Sequence, residues 1–371
     1  MNILYKKFNP DNFEAHYEVH EPQDGMRLDQ FLQRHFPSFS REQVKEKIKN
    51  GDVQIKGRPG KMKPNTKVYN KEQVIVFTFK TIHEDEWWNG EMVELENNPP
   101  VLYEDEGLMV LSKPPFMSTH PTGKHLFYCA TVYCESLCGH GTHSIHRLDR
   151  ETSGALLVGK NPKAANKYTT LFEQERVRKC YFFIGVKNED FKEDNIFIAN
   201  ERLDTGGEGL LRVLIGYHPE NSQVGKRART YFHLLYEETV GEKTYVLGLA
   251  FPKTGRQHQI RVHAMAHGFP LLGDKIYYGS YPMFQSFKDR YAKPEDYELM
   301  ELPRHALHAT AINIPWEGGA KDNTGEERRT FFCPPPLDMT NWIRNKLSLD
   351  YDQFLEDTLK VVEDYFSKDF K

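Results

Sequence analysis

SIHRLDRETSGALLVGK, residues 144–160, sets polar, chemically able side chains directly against an apolar run. Arg147, Asp149 and Arg150 crowd in front of a small-residue turn, Ser153 and Gly154, and Ala155 to Val158 then read as a buried strand. A carboxylate at the mouth of a strand and flanked by arginines stays ionised at neutral pH, because nearby positive charge lowers an acid's pKa. From spacing alone the plainer reading is favoured, in which Asp149 caps a turn and both arginines are surface pairs.

Working outward, two further segments share its character. In ERVRKCYFFIGV (175–186), Lys179 and Tyr181 stand two apart on an expected strand and so share a face, a cation beside a phenol. In FPKTGRQHQIRVHAMAHG (251–268), Gly255 permits a tight turn, Arg256 and His258 follow, and Arg261 begins an amphipathic helix. That density of Arg and His is too polar for a core and suits phosphates or an acidic catalytic group. Strands are expected at 180–186 and 244–250, a hairpin in VLYEDEGLMVLSKPP (101–115), and helices at 163–172 and 260–266. Trp342, Ile343, Leu347, Phe354, Leu355, Leu359 and Val362 recur at helical spacing in closing helices. Strands and helices interleave without regular alternation, so the class is α+β.

Towards the N-terminus, Leu28, Phe31 and Leu32 mark one short helix, and Ser40, Val44 and Ile48 a second that Asn50 and Gly51 stop. Val53 and Ile55, then Val74, Val76 and Phe77, give two strands. The net charge of −4 conceals an asymmetry: 41–80 holds eleven Lys or Arg against four acids, and 81–106 nine acids and no Lys or Arg. The expected organisation is an N-terminal extension (1–25), a small basic domain (26–80), an acidic linker (81–100), a main domain (101–338) and a helical C-terminal extension (339–371). Trp87 and Trp88 in the linker are free to pack on either neighbour.

The unit RLDQFL followed by SREQVKEKIKNGDVQIKG resembles the small RNA-binding domain shared by a small-subunit ribosomal protein, tyrosyl-tRNA synthetases and many pseudouridine synthases. The resemblance implies that Arg41, Lys45, Lys49, Lys56 and Arg58 meet an RNA backbone; the bland alternative is a solvated charged helix. Asn70 to Glu72 replaces the Gly-Asp turn usual in that family. The strings HRLDRETSG, KCY, TGRQHQIRVH, GDKIYYG and PRHALHA, in that order over about 100–316, resemble the RluA-type pseudouridine synthase family, and VLYEDEGLMVLSKPP resembles its opening KP hairpin. KPPFM replaces the more usual KPxG, and GDKIYYG is spaced one residue loosely around its tyrosines.

The fold so implied is a central, mostly antiparallel mixed sheet flanked by helices. The resemblance also implies that Asp149 is the essential carboxylate, that Tyr181 lines the base pocket and helps move the proton from C5, that Arg261 pairs with Asp149, and that Arg147 enters the RNA stack vacated by the target uridine. His146, Arg256 and His258 are candidates for supporting or contacting RNA, with structural roles equally open. The reaction breaks N1–C1′, turns the base and forms C5–C1′ without net redox change, so no cofactor is expected. The partner is a structured ribosomal or transfer RNA. STHPTG (118–123) is similar to members that act on transfer RNA. An RNA-binding scaffold of the same fold without catalysis is the alternative, disfavoured by the intact set Asp149, Tyr181 and Arg261.

Five cysteines, an odd number, with no export signal argue for reduced thiols. Cys129, Cys134, Cys138, His140 and His143 fall close together, but their spacing is poor for zinc, and a helix with buried cysteines is expected, with no metal. No apolar run reaches the length of a membrane span and the N-terminal stretch lacks a targeting pattern, so the cytoplasm is expected; a monomer is the default expectation.

Overall fold

The computed structural model describes residues 3–9, 11–36, 39–80, 84–122, 125–205 and 214–368. It divides into two compact units, one of Met1–Asp85, Ser118–Ser144 and Val158–Pro162, the other of Glu86–Met117, Ile145–Leu157 and Lys163–Lys371. The first unit thus takes in 118–144, which the reading by sequence placed in the main domain.

In the first unit, β1 (Ile3–Phe8), β2 (Asn12–Glu18), β3 (Val53–Ile55) and β4 (Gln73–Phe79) form an antiparallel sheet in the order β1-β2-β4-β3. The stretch read as an N-terminal extension therefore supplies two of its four strands. The expected helices are α1 (Leu28–His35) and α2 (Arg41–Asn50). Ser40 accepts from the Gln43 amide while the Gln43 side chain accepts from the Ser40 amide, a reciprocal cap, and Gly51 ends α2 at φ 93°. Leu28, Phe31 and Leu32, Val44 and Ile48, and Val74 and Val76 bury the faces that periodicity assigned them, and Ala15 and Tyr17 of β2 are buried as well. Where the Gly-Asp turn is missing, Lys71 adopts φ 69° and the Glu72 carboxylate accepts from the Tyr69 amide at 2.8 Å, so β4 still starts at Gln73. The helix α3 (Ala130–Cys138) packs on β1: buried Lys6 pairs with Glu135 at 2.6 Å, and Phe8 stacks on Phe127. Cys129 and Cys134 are buried there and Cys138 half-buried.

The hairpin of β5 (Trp87–Trp88) and β6 (Glu91–Met92) lies in the expected linker, whose residues 81–83 fall outside those described. Beyond it come β7 (Val101–Glu104), β8 (Leu108–Lys113), β9 (His143–Ser144), β10 (Ser153–Gly159), α4 (Pro162–Glu173), β11 (Arg178–Lys187), β12 (Ile196–Ala199), β13 (Arg202–Thr205) and β14 (Ile215–His218). Next are β15 (Thr230–Val240), β16 (Lys243–Pro252), α5 (Gln259–Ala266), α6 (Tyr281–Lys288), α7 (Pro294–Met300), β17 (Leu307–Lys321), β18 (Glu327–Phe332), α8 (Leu337–Lys346) and α9 (Tyr351–Ser367). The large sheet runs β12-β15-β16-β11-β17-β10-β8-β7, with β18 on β17 and β9 on β10; β10 and β17 are parallel, the rest of its described ladders antiparallel. This is the expected mixed, mostly antiparallel sheet.

Alternation along β11 splits its side chains between two cores. Cys180, Phe182, Ile184 and Val186 face Met339, Ile343, Val362 and Phe366 of the closing helices. Phe183, with Tyr181 at the edge, faces Ile260 and Ala264 of α5 together with Phe232 and Phe269. The sheet therefore delivers Tyr181 to the face on which α5 carries Arg261. Trp88 packs on Phe287 and Tyr297, so the linker's aromatics dock on α6 and α7.

Candidate active site

Asp149 sits in the loop before β10, and buried anchors hold that loop from several sides. Gly154 has φ 117°, and a Cβ there would lie 2.3 Å from the Ala309 carbonyl oxygen, so only glycine permits β10 to run beside β17. Thr152 Oγ1 meets His305 Nε2 at 2.7 Å and Ser153 Oγ meets His308 Nδ1 at 2.9 Å, which joins the strings HRLDRETSG and PRHALHA. The Lys113 ammonium, 1% exposed, donates to the carbonyls of Pro114, Met117 and Arg150. Arg150 itself pairs with Glu86 and lies over the ring of Phe116. Phe116 replaces the glycine of the KPxG pattern and accordingly takes φ 66°, the left-handed region.

Opposite this loop, α5 presents Arg261. Its fork closes on Asp274, Nε to Oδ2 at 2.6 Å and Nη2 to Oδ1 at 2.9 Å, leaving Nη1 to donate to Asp149 Oδ2 at 3.3 Å. Asp274 is wholly buried and also accepts from the amides of Ile276 and Tyr277. The Tyr277 ring lies 5.0 Å under the Arg261 guanidinium, and its hydroxyl meets His258 Nδ1 at 2.9 Å. His258, in the left-handed conformation at the start of α5, brings Nε2 to 3.7 Å from Asp149, too long for a hydrogen bond.

The electrostatics follow from these contacts. Burial works against charge on Asp149, but His258, Arg261 and His305 outweigh it and hold the carboxyl below its ordinary value. Burial lowers His258 to about 4, so the standing cation beside Asp149 at neutral pH is Arg261. Burial likewise opposes the charge of Asp274, yet the Arg261 fork takes it to about 2. Burial and then the charge of Asp149 push Tyr181 up, which leaves a neutral phenol. Burial brings Lys179 down to about 8, and its ammonium donates to the Thr254 carbonyl at 2.9 Å, holding the turn that enters α5.

Burial also depresses His146 to about 3 and His263 and His308 to about 4. With His258, these groups favour the neutral form when folded, so their contribution to stability is complete above about pH 6.5 and is lost as pH falls towards 4. His267, raised against its burial by Glu201 and Glu193, acts in the opposite sense. Urea unfolding at pH 7, 5.5 and 4.5 is expected to show stability falling throughout this range; a flat profile contradicts the assignment.

The other expected residues are placed less centrally. His146 stacks on Phe172 and accepts from the Leu157 amide at 3.0 Å, a structural setting. Arg147 is exposed. Arg256 is exposed, with Nε donating to the Arg227 carbonyl. In the other unit Arg41, Lys49 and Lys56 are exposed and Lys45 pairs with Glu42, whereas Arg58 is committed to Glu72 and the Lys67 carbonyl. Asp274 and Tyr277 received no role from the sequence, although the string GDKIYYG contains both. Among the described residues no three His, Cys, Asp or Glu side chains converge as a metal site, and no helix is long and apolar enough to cross a membrane.

Residues 107–266 match the family model for RNA pseudouridylate synthase. The chain is 30% identical to an uncharacterised RNA pseudouridine synthase of Bacillus subtilis, YlyB, over 88% of its own length and 95% of that protein's. It is 32% identical to an uncharacterised RNA pseudouridine synthase of Aquifex aeolicus over 68% of this chain and 76% of that one. To the ribosomal large subunit pseudouridine synthase D of Yersinia pestis it is 29% identical, over 80% and 85%. The human RNA pseudouridylate synthase domain containing 1 structure shares the fold, with a TM-score of 0.50 and 22% identity over 70% of this chain and 94% of that one. With these relatives matched over most of their length, and HRLDRETSG, KCY and TGRQHQIRVH falling within 107–266, the chain belongs to the RluA-type RNA pseudouridine synthases, isomerases that convert uridine in RNA to pseudouridine.

Proposed function

We propose that the chain isomerises specific uridines of a structured RNA, ribosomal or transfer, with Asp149 as the group that acts on the ribose. The observation that carries this is the pairing of Asp149, still about a quarter exposed, with a buried Arg261 that is itself locked on Asp274. An ionised carboxylate held in this way, with one face open, suits attack on an electron-poor sugar carbon or removal of a proton at C2′; both routes suit the geometry. In either, N1–C1′ breaks, the uracil turns, C5–C1′ forms, the proton leaves C5 and N1 gains one.

Tyr181, kept as a neutral phenol, serves as a wall and hydrogen-bond donor for the base. To become the acceptor of the C5 proton it must first pass its own proton on. Arg147, exposed two residues before Asp149, suits insertion where the uridine leaves the stack, a step that costs a few kcal/mol. Names of relatives such as the Yersinia pestis protein favour large-subunit ribosomal RNA as the substrate. A pseudouridine map of total RNA from cells with and without the gene tests this: loss of a defined pseudouridine in that RNA supports the proposal, and an unchanged map overturns it.

The helix pair and turn of the N-terminal unit serve, in this reading, as an RNA-binding module. Replacing Lys45, Lys49 and Lys56 together by alanine is expected to reduce the slope of log affinity against log salt by about 2.1–2.7, at roughly 0.7–0.9 per phosphate contact. An unchanged slope in a filter-binding titration removes the module from the interface.

A further inference from the structure

A second concentration of positive charge lies in the unit that holds Asp149. Lys226, Arg227 and Arg229 stand on the loop before β15, and Lys253 and Arg256 on the turn between β16 and α5. Neither 221–229 nor 251–258 contains an aspartate or glutamate, in a chain whose net charge is −4. The two segments are tied to each other: Arg256 Nε donates to the Arg227 carbonyl at 3.0 Å, the Lys253 amide to the Arg229 carbonyl at 2.9 Å, and the Arg229 amide to Thr254 Oγ1 at 3.0 Å. Arg202 of β13 braces the first loop, donating to the carbonyls of Val224 and Gly225, and Lys226 bridges to Leu203 through its backbone.

The backbones of the two loops are thus tied together, and Arg256 adds its side-chain Nε to the ties. Lys226, Arg227 and Arg256 are exposed, and among the described residues they and Arg229 form no ion pair. Arg229 Nε is buried without a hydrogen-bond partner, its guanidinium over the Tyr231 ring. Lys226, Arg227, Arg229 and Arg256, held close together with no ion pair among the described residues, repel one another, a cost that a bound polyanion offsets. The second turn runs straight into His258, whose ring lies 3.7 Å from Asp149.

We propose that the loops 224–229 and 252–257 form a phosphate-binding rim that holds the backbone of the RNA substrate next to Asp149. It depends on the functional reading above only for the identity of the polyanion as substrate. A braced backbone with the exposed side chains of Lys226, Arg227 and Arg256 is suited to phosphate contacts, which position a strand without reading its bases. It directs the strand towards the start of α5, where the uridine must leave the stack.

The test compares the parent protein, Lys226→Ala/Arg227→Ala and a charge-matched control, Lys192→Ala/Lys360→Ala, whose lysines are exposed elsewhere. Affinity for an unmodified transcript of large-subunit ribosomal RNA is measured against salt, with urea unfolding to verify that all three fold. The rim variant is expected to lose about 1.4–1.8 from the salt slope, two contacts at roughly 0.7–0.9 each, and about tenfold or more in affinity at 0.1 M salt. The control keeps the parent slope. Equal slopes for rim variant and control overturn the proposal. Pseudouridine formation by the parent protein on the same transcript is scored in parallel: its absence counts against that substrate, while the salt slopes still decide the rim.

Discussion

Arg261→Leu is expected to cost about 3–5 kcal/mol in urea unfolding at pH 7, because removing one partner of a buried ion pair strands the other. The stranded group is Asp274, which has no exposure and whose two oxygens take both arms of the Arg261 fork. The pH dependence carries a sign. With a folded pKa near 2 against an ordinary 3.8, the Asp274 contribution in the parent is complete above about pH 4 and is lost as pH falls towards 2; in the variant burial is left largely unopposed and raises the same carboxyl, so the gap between variant and parent begins to close above pH 4 and goes on closing as pH falls towards 2. Arg261→Leu/Asp274→Leu removes both charges and is expected to regain most of the lost stability. It regains no activity, since Asp149 has then lost its permanent cation. A double variant no more stable than Arg261→Leu contradicts the assignment of the cost to a stranded Asp274.

Asp149→Asn leaves the shape of the side chain and removes its charge. Asparagine neither attacks a sugar carbon nor takes a proton, so single-turnover conversion of uridine, followed by nucleoside mass spectrometry, is expected to fall by about 10⁴-fold or more. The fold should hold, because Arg261 keeps Asp274 and the loop keeps its anchors at Lys113, Thr152 and Ser153. RNA binding should be unchanged or slightly tighter, one acid having been removed beside a polyanion. A variant that binds normally and still converts uridine within tenfold of the parent rules out Asp149 as the reacting group.

What the sequence disclosed, and what it withheld, divides along one physical line. Elements whose burial depends on local period were legible: α1 and α2 from their apolar stripes, β11 from its alternation and the closing helices from their spacing. The sheet's front face, and with it the side on which Tyr181 and Arg261 stand, follows from the same alternation. Features whose meaning depends on a distant partner were not. Asp274 reads as an unremarked acid until the Arg261 fork closes on it, and Arg58 reads as a free cation until Glu72, fourteen residues on, occupies it. His146 looks chemically able in HRLD, yet its ring nitrogen is spent on the Leu157 amide. The first two strands were passed over because β1 exposes Leu4 and Tyr5 and shows no clean alternation, although Phe13, Ala15 and Tyr17 of β2 alternate well.

The central claim concerns a carboxylate that rearranges the bond between base and sugar, an event that expels the hydrogen at C5 of uracil. Release of tritium from a ribosomal RNA transcript labelled at C5 of its uridines records that event alone. The parent protein should release one tritium for each pseudouridine formed, and Asp149→Asn none above background at equal RNA occupancy. Release by Asp149→Asn at the parent rate would contradict the account.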